Sequence, residues 1–292
     1  MLLDFIKVFT TKYYLKGFYR ILWATRIFLK TRDNVYSIYG TVRMKLDHNH
    51  YYQWMMACTD YYGFGIKKLL NDFLRPGDVF VDVGANIGYL SLIASSIVSK
   101  DGMVVAFEPD PRASICFRNN IALNGIDNII LIEKVCSNEE GKAKLSLASH
   151  LGWSTATRNT ASLDIIGQIE ANQCTLDDVF TGDLLNENTI RLIKIDAEGY
   201  EPYILEGANA IIERNETAFI IEINHERLMG DNHSLRDILK LFGDKNYFVY
   251  WINEKRGFIN SLKEVEFERI VDLNNYYGRN GDIFVVPVHF VT

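Results

Sequence analysis

Val79-Phe80-Val81-Asp82-Val83-Gly84-Ala85-Asn86-Ile87-Gly88 decides the fold. An apolar, β-branched and aromatic run carries a single Asp and enters a glycine-spaced turn. Beyond the turn, Ile87, Leu90, Ile93, Ala94 and Ile97 form a stripe at helical spacing that runs to Val98. The pattern predicts a buried parallel strand, a tight turn and a helix N-terminus. Gly84 would allow the turn and a close backbone approach to a ligand, and Gly88 would let the helix pack near the strand.

Working outward, Met103 to Phe107 is a second apolar run and ends in Glu108-Pro109-Asp110. An acid at the end of the second strand, about twenty residues past a glycine turn, is placed to accept from both ribose hydroxyls. A nicotinamide site would want G-x-G-x-x-G, so that backbone amides cradle a pyrophosphate. Here Asp82 stands two residues before Gly84, and a carboxylate there suits a cationic ligand better than a diphosphate. S-adenosylmethionine (SAM) has an ammonium, a sulfonium and a ribose, and no phosphate. The turn supplies Asp82, Gly84, Ala85, Asn86 and Gly88 as cofactor-binding candidates, with Glu108 for the ribose.

The rest of the chain reads as alternating strands and helices. Phe64 to Leu74 is a helix stopped by Arg75-Pro76-Gly77-Asp78, and Pro111 to Leu123 is a helix closed by Asn124-Gly125. Ile129 to Val135, Lys142 to Leu147, Arg191 to Ile195, Phe219 to Ile223, Tyr247 to Ile252 and Asp282 to Val286 are strands. Gly199 to Arg214 and His233 to Gly243 are helices. Residues 148–173 are polar and irregular with a lone Trp153, a loop suited to an acceptor lid. The alternation predicts an α/β fold with a doubly wound, mostly parallel Rossmann-like sheet.

The N-terminal 60 residues stand apart from residues 61–292, which hold the alternating strands and helices. Val35 to Leu46 alternates as a strand or hairpin, and His48-Asn49-His50 reads as a solvated loop rather than a metal pair. Residues 2–30 have an amphipathic helical pattern, and residues 1–32 hold seven Lys/Arg against the single acid Asp4. Such an extension suits an anionic membrane surface, packing on the main domain, or packing on a second subunit of a homo-oligomer. The chain as a whole has net charge −6, which offers nucleic acid no general attraction. The apolar content of 48% is enough for a real core. Cys58, Cys116, Cys136 and Cys174 are scattered without C-x-x-C, as expected of a reducing, cytoplasmic setting, on the inner face if a membrane is touched. No apolar run approaches a membrane span, and Lys7, Lys12 and Lys16 interrupt any signal-like core.

In a doubly wound sheet the ligand lies across the carboxyl ends of the strands. Those ends carry Asp82, Glu108, Val135-Cys136, Asp196-Ala197-Glu198 and Glu222/His225. Val135 and Cys136 would flank an adenine. Asp196, Glu198 and His225 would face the reacting methyl as catalytic candidates, with His225 or Asp196 as base. Transfer from a sulfonium is an in-line displacement that gains most from orientation, and an oxygen nucleophile also needs a base. Oxygen-rich sites suit Mg²⁺, but acids at strand ends have other uses here, and no metal is assigned.

Val81 to Gly88, Phe107-Glu108-Pro109-Asp110-Pro111, Asn124-Gly125, Thr175-Leu176-Asp177-Asp178 and Ile193 to Glu201 resemble, in this order, the FkbM family of SAM-dependent methyltransferases. The resemblance runs from about Arg75 to His225. It implies a class I methyltransferase fold and O-methylation of a sugar, polyketide or similar hydroxyl, hence a small-molecule or glycan acceptor. It also implies a SAM loop on Asp82 to Gly88, a ribose acid at Glu108 and the Asp-x-Glu-Gly motif on Asp196 to Gly199. Ala197 departs from the commoner β-branched residue. Rival readings are a nucleic-acid or protein methyltransferase, a nicotinamide enzyme, and a non-catalytic module on the same fold. Asp196-Ala197-Glu198-Gly199 stands where a base methylase would carry N/D-P-P-Y.

Overall fold

β3 (Val79–Val83) lies at the centre of an eight-stranded sheet, and all five of its residues are buried. In this computed structural model residues 6, 18–29, 34–59, 62–157, 160, 163–180, 189–243, 245–255 and 264–291 are described. β3 pairs in parallel with β4 (Met103–Phe107), and β4 with β5 (Ile129–Ile132). On its other side β3 pairs in parallel with β9 (Ile190–Ile195), which is followed by β10 (Ala218–Ile223). The winding therefore reverses between β3 and β9. β13 (Gly281–Pro287), β11 (Tyr247–Lys255) and β12 (Glu264–Arg269) complete that side as antiparallel strands.

Two apolar cores cover the two faces. Phe80, Leu192, Ile220 and Phe284 belong to one, which packs on α5 (Tyr89–Val98). Val81, Ile193, Ile221 and Ile283 belong to the other. Strand periodicity of two thus assigns each residue to a face. It also puts Asp82, Lys194, Glu222 and Asp282 on the α5 face. Asp82 is the register partner of Lys194, and Glu222 is that of Asp282.

The sequence-based boundaries change in four places. Residues 165–174, expected to be irregular, form strand β8 (Ile165–Cys174), antiparallel to β7 (Gly141–Ala148). Val135 does not extend β5. It starts β6 (Val135–Cys136), which pairs with the end of β8 in a small second sheet. The helix expected over 199–214 is two, α8 (Glu201–Glu206) and α9 (Asn209–Arg214). They break at Gly207, where a Cβ would lie 2.0 Å from the Ser137 carbonyl oxygen. β12 is an edge strand with no sequence-based counterpart.

Of the N-terminal extension, α1 (Phe18–Ala24), α2 (Arg26–Leu29) and the hairpin β1 (Val35–Tyr39)–β2 (Val42–Lys45) are described. The helix expectation for residues 2–5, 7–17 and 30 lies outside the described residues. α3 (Tyr51–Cys58) follows and is anchored to α1 by the Trp54 indole, which donates to the Leu22 carbonyl at 2.9 Å. α4 (Phe64–Phe73) then leads to β3. Among the described residues no helix is long and apolar enough to cross a membrane.

Candidate active site

The turn after β3 is built around two glycines with positive φ, and at Gly84 the space is as restrictive as the torsion. A Cβ there would lie 1.8 Å from the Asp196 carbonyl oxygen. The amides of Gly84 and Ala85 both donate to Phe107 at the end of β4, 3.0 Å each. The Asp196 amide donates to Val83 at 3.1 Å. Three strand ends are therefore fastened together at the reversal point, where α/β sheets bind ligands.

Two clefts meet here and share Gly84, Gly152, Asp196 and Glu198. The first is walled by Phe107, Pro109, Val135, Cys136, Leu145 and Ile204, with Glu108 at its edge. Glu108 is buried. One carboxylate oxygen accepts from the Asn86 amide at 2.7 Å and the other from the Asp110 amide at 2.8 Å. Burial pushes its carboxyl up to about 7 against the pull of those amides. Burial also raises the Cys136 thiol, whose register partner in the small sheet is Cys174.

The second cleft encloses about 980 Å³ out to its open mouth. Its floor is the polar row set by strand parity. Lys194, only 4% exposed, lies 3.4 Å from Asp82 Oδ1 and 3.2 Å from Asp196 Oδ2, and donates to the Gly84 carbonyl at 3.1 Å. The other Asp82 oxygen accepts from Ser91 Oγ at 2.5 Å. Oxygens of Asp196, Glu198 and Glu222 lie within 4.8 Å of one another. Burial first, then Asp196, pushes Glu198 up to about 8, although Arg227 sits 2.8 Å from it. Asp196 first, then burial, holds Glu222 well above the carboxylate range. Glu201, fully buried, accepts from the Ala197 and Gly199 amides at 2.9 and 3.1 Å and so closes the Asp-Ala-Glu-Gly turn.

An aromatic wall faces this floor. Tyr52 of α3, Tyr62, Tyr89 of α5 and Trp153 line the cleft together with His50. Ring centroids are 6.1 Å apart for Tyr52–Trp153, 6.4 Å for Tyr52–Tyr62 and 5.3 Å for Tyr62–Tyr89. His50 packs 5.4 Å from His150, and both of its ring nitrogens are buried without hydrogen-bond partners. Burial, then His150, lowers its pKa, so the ring is neutral near pH 7. His50 is thus a cleft residue rather than part of a solvated loop.

The structure brings Asp82, Gly84, Ala85, Asn86, Glu108, Val135, Cys136, Asp196 and Glu198 to these clefts. Gly88 sits behind the turn, where a Cβ would lie 2.1 Å from the Phe117 ring. His225 is not brought there. It opens α10 (His225–Gly230), its amide donates to Asn280, and its ring packs 4.8 Å from Tyr277. Lys194 and the aromatic wall were absent from the sequence-based site, and Glu222 was read there as a strand-end acid without a catalytic role. Parity with Asp82 was the available signal for Lys194.

The reversal of winding beside β3, with an acid at the end of β4, is the architecture of the class I methyltransferases. The chain belongs to the FkbM methyltransferase family: the Methyltransferase FkbM domain matches residues 82–257, more than half its length. The family is one of methyltransferases, and membership makes SAM the cofactor to test the site against. Over 67 residues it is 34% identical to a ribosomal protein L11 methyltransferase of Listeria innocua serovar 6a, a match covering 23% of this chain and 21% of that protein. A ribosomal protein L11 methyltransferase of Caldanaerobacter subterraneus subsp. tengcongensis is 31% identical over 83 residues, covering 28% and 26%. The chain spans about a quarter of the length of these relatives. Among solved structures, the methyltransferase FkbM from Methylobacillus flagellatus KT shares 14% identity, with 91% of this chain and 58% of that one covered and a TM-score of 0.42. Precorrin-6y C5,15-methyltransferase from Geobacter metallireducens GS-15 also shares 14%, covering 76% and 88%, with a TM-score of 0.39.

The residues present fit SAM. The first cleft joins apolar walls to the Glu108 carboxylate, the Gly84 turn leaves no room for a side chain, and Asn86 Oδ1 is buried without a partner. Val135, Cys136 and Glu108 would hold the nucleoside, and the Gly84 turn with Asp196 would hold the methionine end.

Proposed function

We propose that the chain methylates a hydroxyl of a sugar or glycan. The observation that carries this reading is the aromatic wall of Tyr52, Tyr62, Tyr89 and Trp153 opposite the carboxylates Asp196, Glu198 and Glu222 in one cleft. Aromatic faces pack against the C–H faces of a sugar ring, and carboxylates accept from its hydroxyls. SAM, when bound, supplies an electrophilic methyl on a positively charged sulfur. Asp196 lines both clefts and so stands where it can orient a hydroxyl toward the cofactor side. Lys194 is the only Lys or Arg among the described residues lining the second cleft, and three acceptors already surround it. A phosphate-rich nucleic acid would find no free cation there.

The test is release of S-adenosylhomocysteine (SAH) from SAM in the presence of methyl glycosides, with RNA and ribosomal protein as rival acceptors. A methylated glycoside is the expected product. Trp153→Ala and Tyr52→Ala should each raise the acceptor KM about tenfold while leaving SAM affinity unchanged. Turnover on RNA or protein alone would overturn the reading.

A further inference from the structure

Resting on that reading of a hydroxyl acceptor, we propose that Glu222 is the catalytic residue that takes the hydroxyl proton, with Asp196 beside it and Lys194 as the counter-ion of Asp196. Glu222 lies on the cleft-facing side of β10, two residues past Ile220, whose register partner is Lys194. Strand geometry therefore sets it one side-chain step beyond the lysine, level with Asp196. It lines the second cleft, and its Oε2 is shielded from solvent without a hydrogen-bond partner. The charged and titratable groups around it come from every neighbouring element: Tyr62 before α4, Lys194 and Asp196 of β9 and its end, Glu198 and Glu201 of the next turn, and its register partner Asp282 of β13. His225, the other base candidate, packs on Tyr277 and lines neither cleft.

The step balances. The hydroxyl oxygen forms the new bond to the methyl carbon, the carbon–sulfur electron pair stays on sulfur, and the hydroxyl proton passes to Glu222. Asp196 first, and burial after it, raise the proton affinity of Glu222 in the free chain. A positive sulfonium nearby favours the ionised carboxylate and so readies the base only when a methyl is there to be transferred. Once the sulfur is neutral, the proton affinity of Glu222 returns.

The experiment needs no acceptor. SAM and SAH are titrated separately into the full chain by calorimetry at pH 7.5, in EDTA and in buffers of different ionisation enthalpy. SAM should release on the order of one proton more than SAH. Glu108 and other groups that respond to the shared nucleoside cancel in this difference. In Glu222→Gln the difference should vanish while SAH still binds. In Asp196→Asn it should move to lower pH, which carries the test if the first variant does not fold. No difference in the unmodified chain, a difference that survives Glu222→Gln, or one lost instead in Glu198→Gln would overturn the proposal. Failure of every glycoside would overturn the acceptor reading and leave this measurement untouched.

Discussion

Lys194 shows how much one buried charge can organise. Its three contacts belong to β3, to the glycine turn and to the end of β9, so one side chain ties the cofactor turn to the reactive carboxylates. Asp82, expected to meet the cationic end of SAM, meets this lysine instead, and an acid two residues before the first glycine had room for either partner. The charge on Lys194 is favoured by Asp196 and Asp82 against the penalty of burial. A lysine raised above its unfolded pKa contributes stability throughout the neutral range and loses it only in strong alkali. Lys194→Met would leave two carboxylates without their counter-charge. It should cost about 3–5 kcal/mol in urea denaturation at pH 8. A cost below about 1 kcal/mol would mean that the carboxylates do not need the lysine's charge.

At the level of elements, the glycine turn separates torsion from space. Gly84 and Gly125 both have positive φ, at 76° and 62°. Around Gly125 a Cβ would meet nothing within 4 Å, whereas at Gly84 it would meet the Asp196 carbonyl oxygen. Gly125→Ala should therefore cost about 1 kcal/mol for the torsion alone. Gly84→Ala should cost about 3 kcal/mol or more and abolish SAM binding, because the turn must move away from Asp196. Denaturant midpoints and calorimetry on the two variants check this. The same turn was the most legible part of the sequence, since a buried parallel strand leaves a mostly apolar run that ends in a glycine-spaced turn. β3, β4, β9 and β10 were readable as mostly apolar runs, and Glu108 and Asp196 came with them as residues at strand ends. β8 was not readable: Gln168, Glu170 and Asn172 face outward between half-buried neighbours, so its alternation carries little hydrophobic contrast. Nor was the aromatic wall, whose members come from α3, the segment before α4, α5 and the loop after β7 and meet only in three dimensions.

Across the whole molecule, the carboxyls around the clefts make stability depend on pH in an unusual direction. Burial is the largest cause of the raised values at Glu108, Glu201 and Asp282, each at about 7, and at Glu198, at about 8. A carboxyl whose folded pKa lies above its unfolded one binds more protons when folded, so stability falls as pH rises between the two values. Here that interval runs from about 4, the unfolded range, to about 8. Asp110 works in the opposite sense. Burial raises it, but the bonds from Arg112 and Ser154 prevail and lower it, so its contribution is lost only as pH falls below the usual aspartate value of 3.8. The free chain should accordingly melt at least about 5 °C lower at pH 8.5 than at pH 5.5. SAM should oppose the trend, because a bound cation stabilises the ionised acids. Its increase in melting temperature should therefore be larger at pH 8.5 than at pH 5.5, and larger than that of SAH. Differential scanning calorimetry of the free chain and of both complexes across this range checks the prediction. A flat profile for the free chain would show that the buried acids are already neutralised within the fold by Lys194 and Arg227, and the case for a base readied by the cofactor's charge would fall with it.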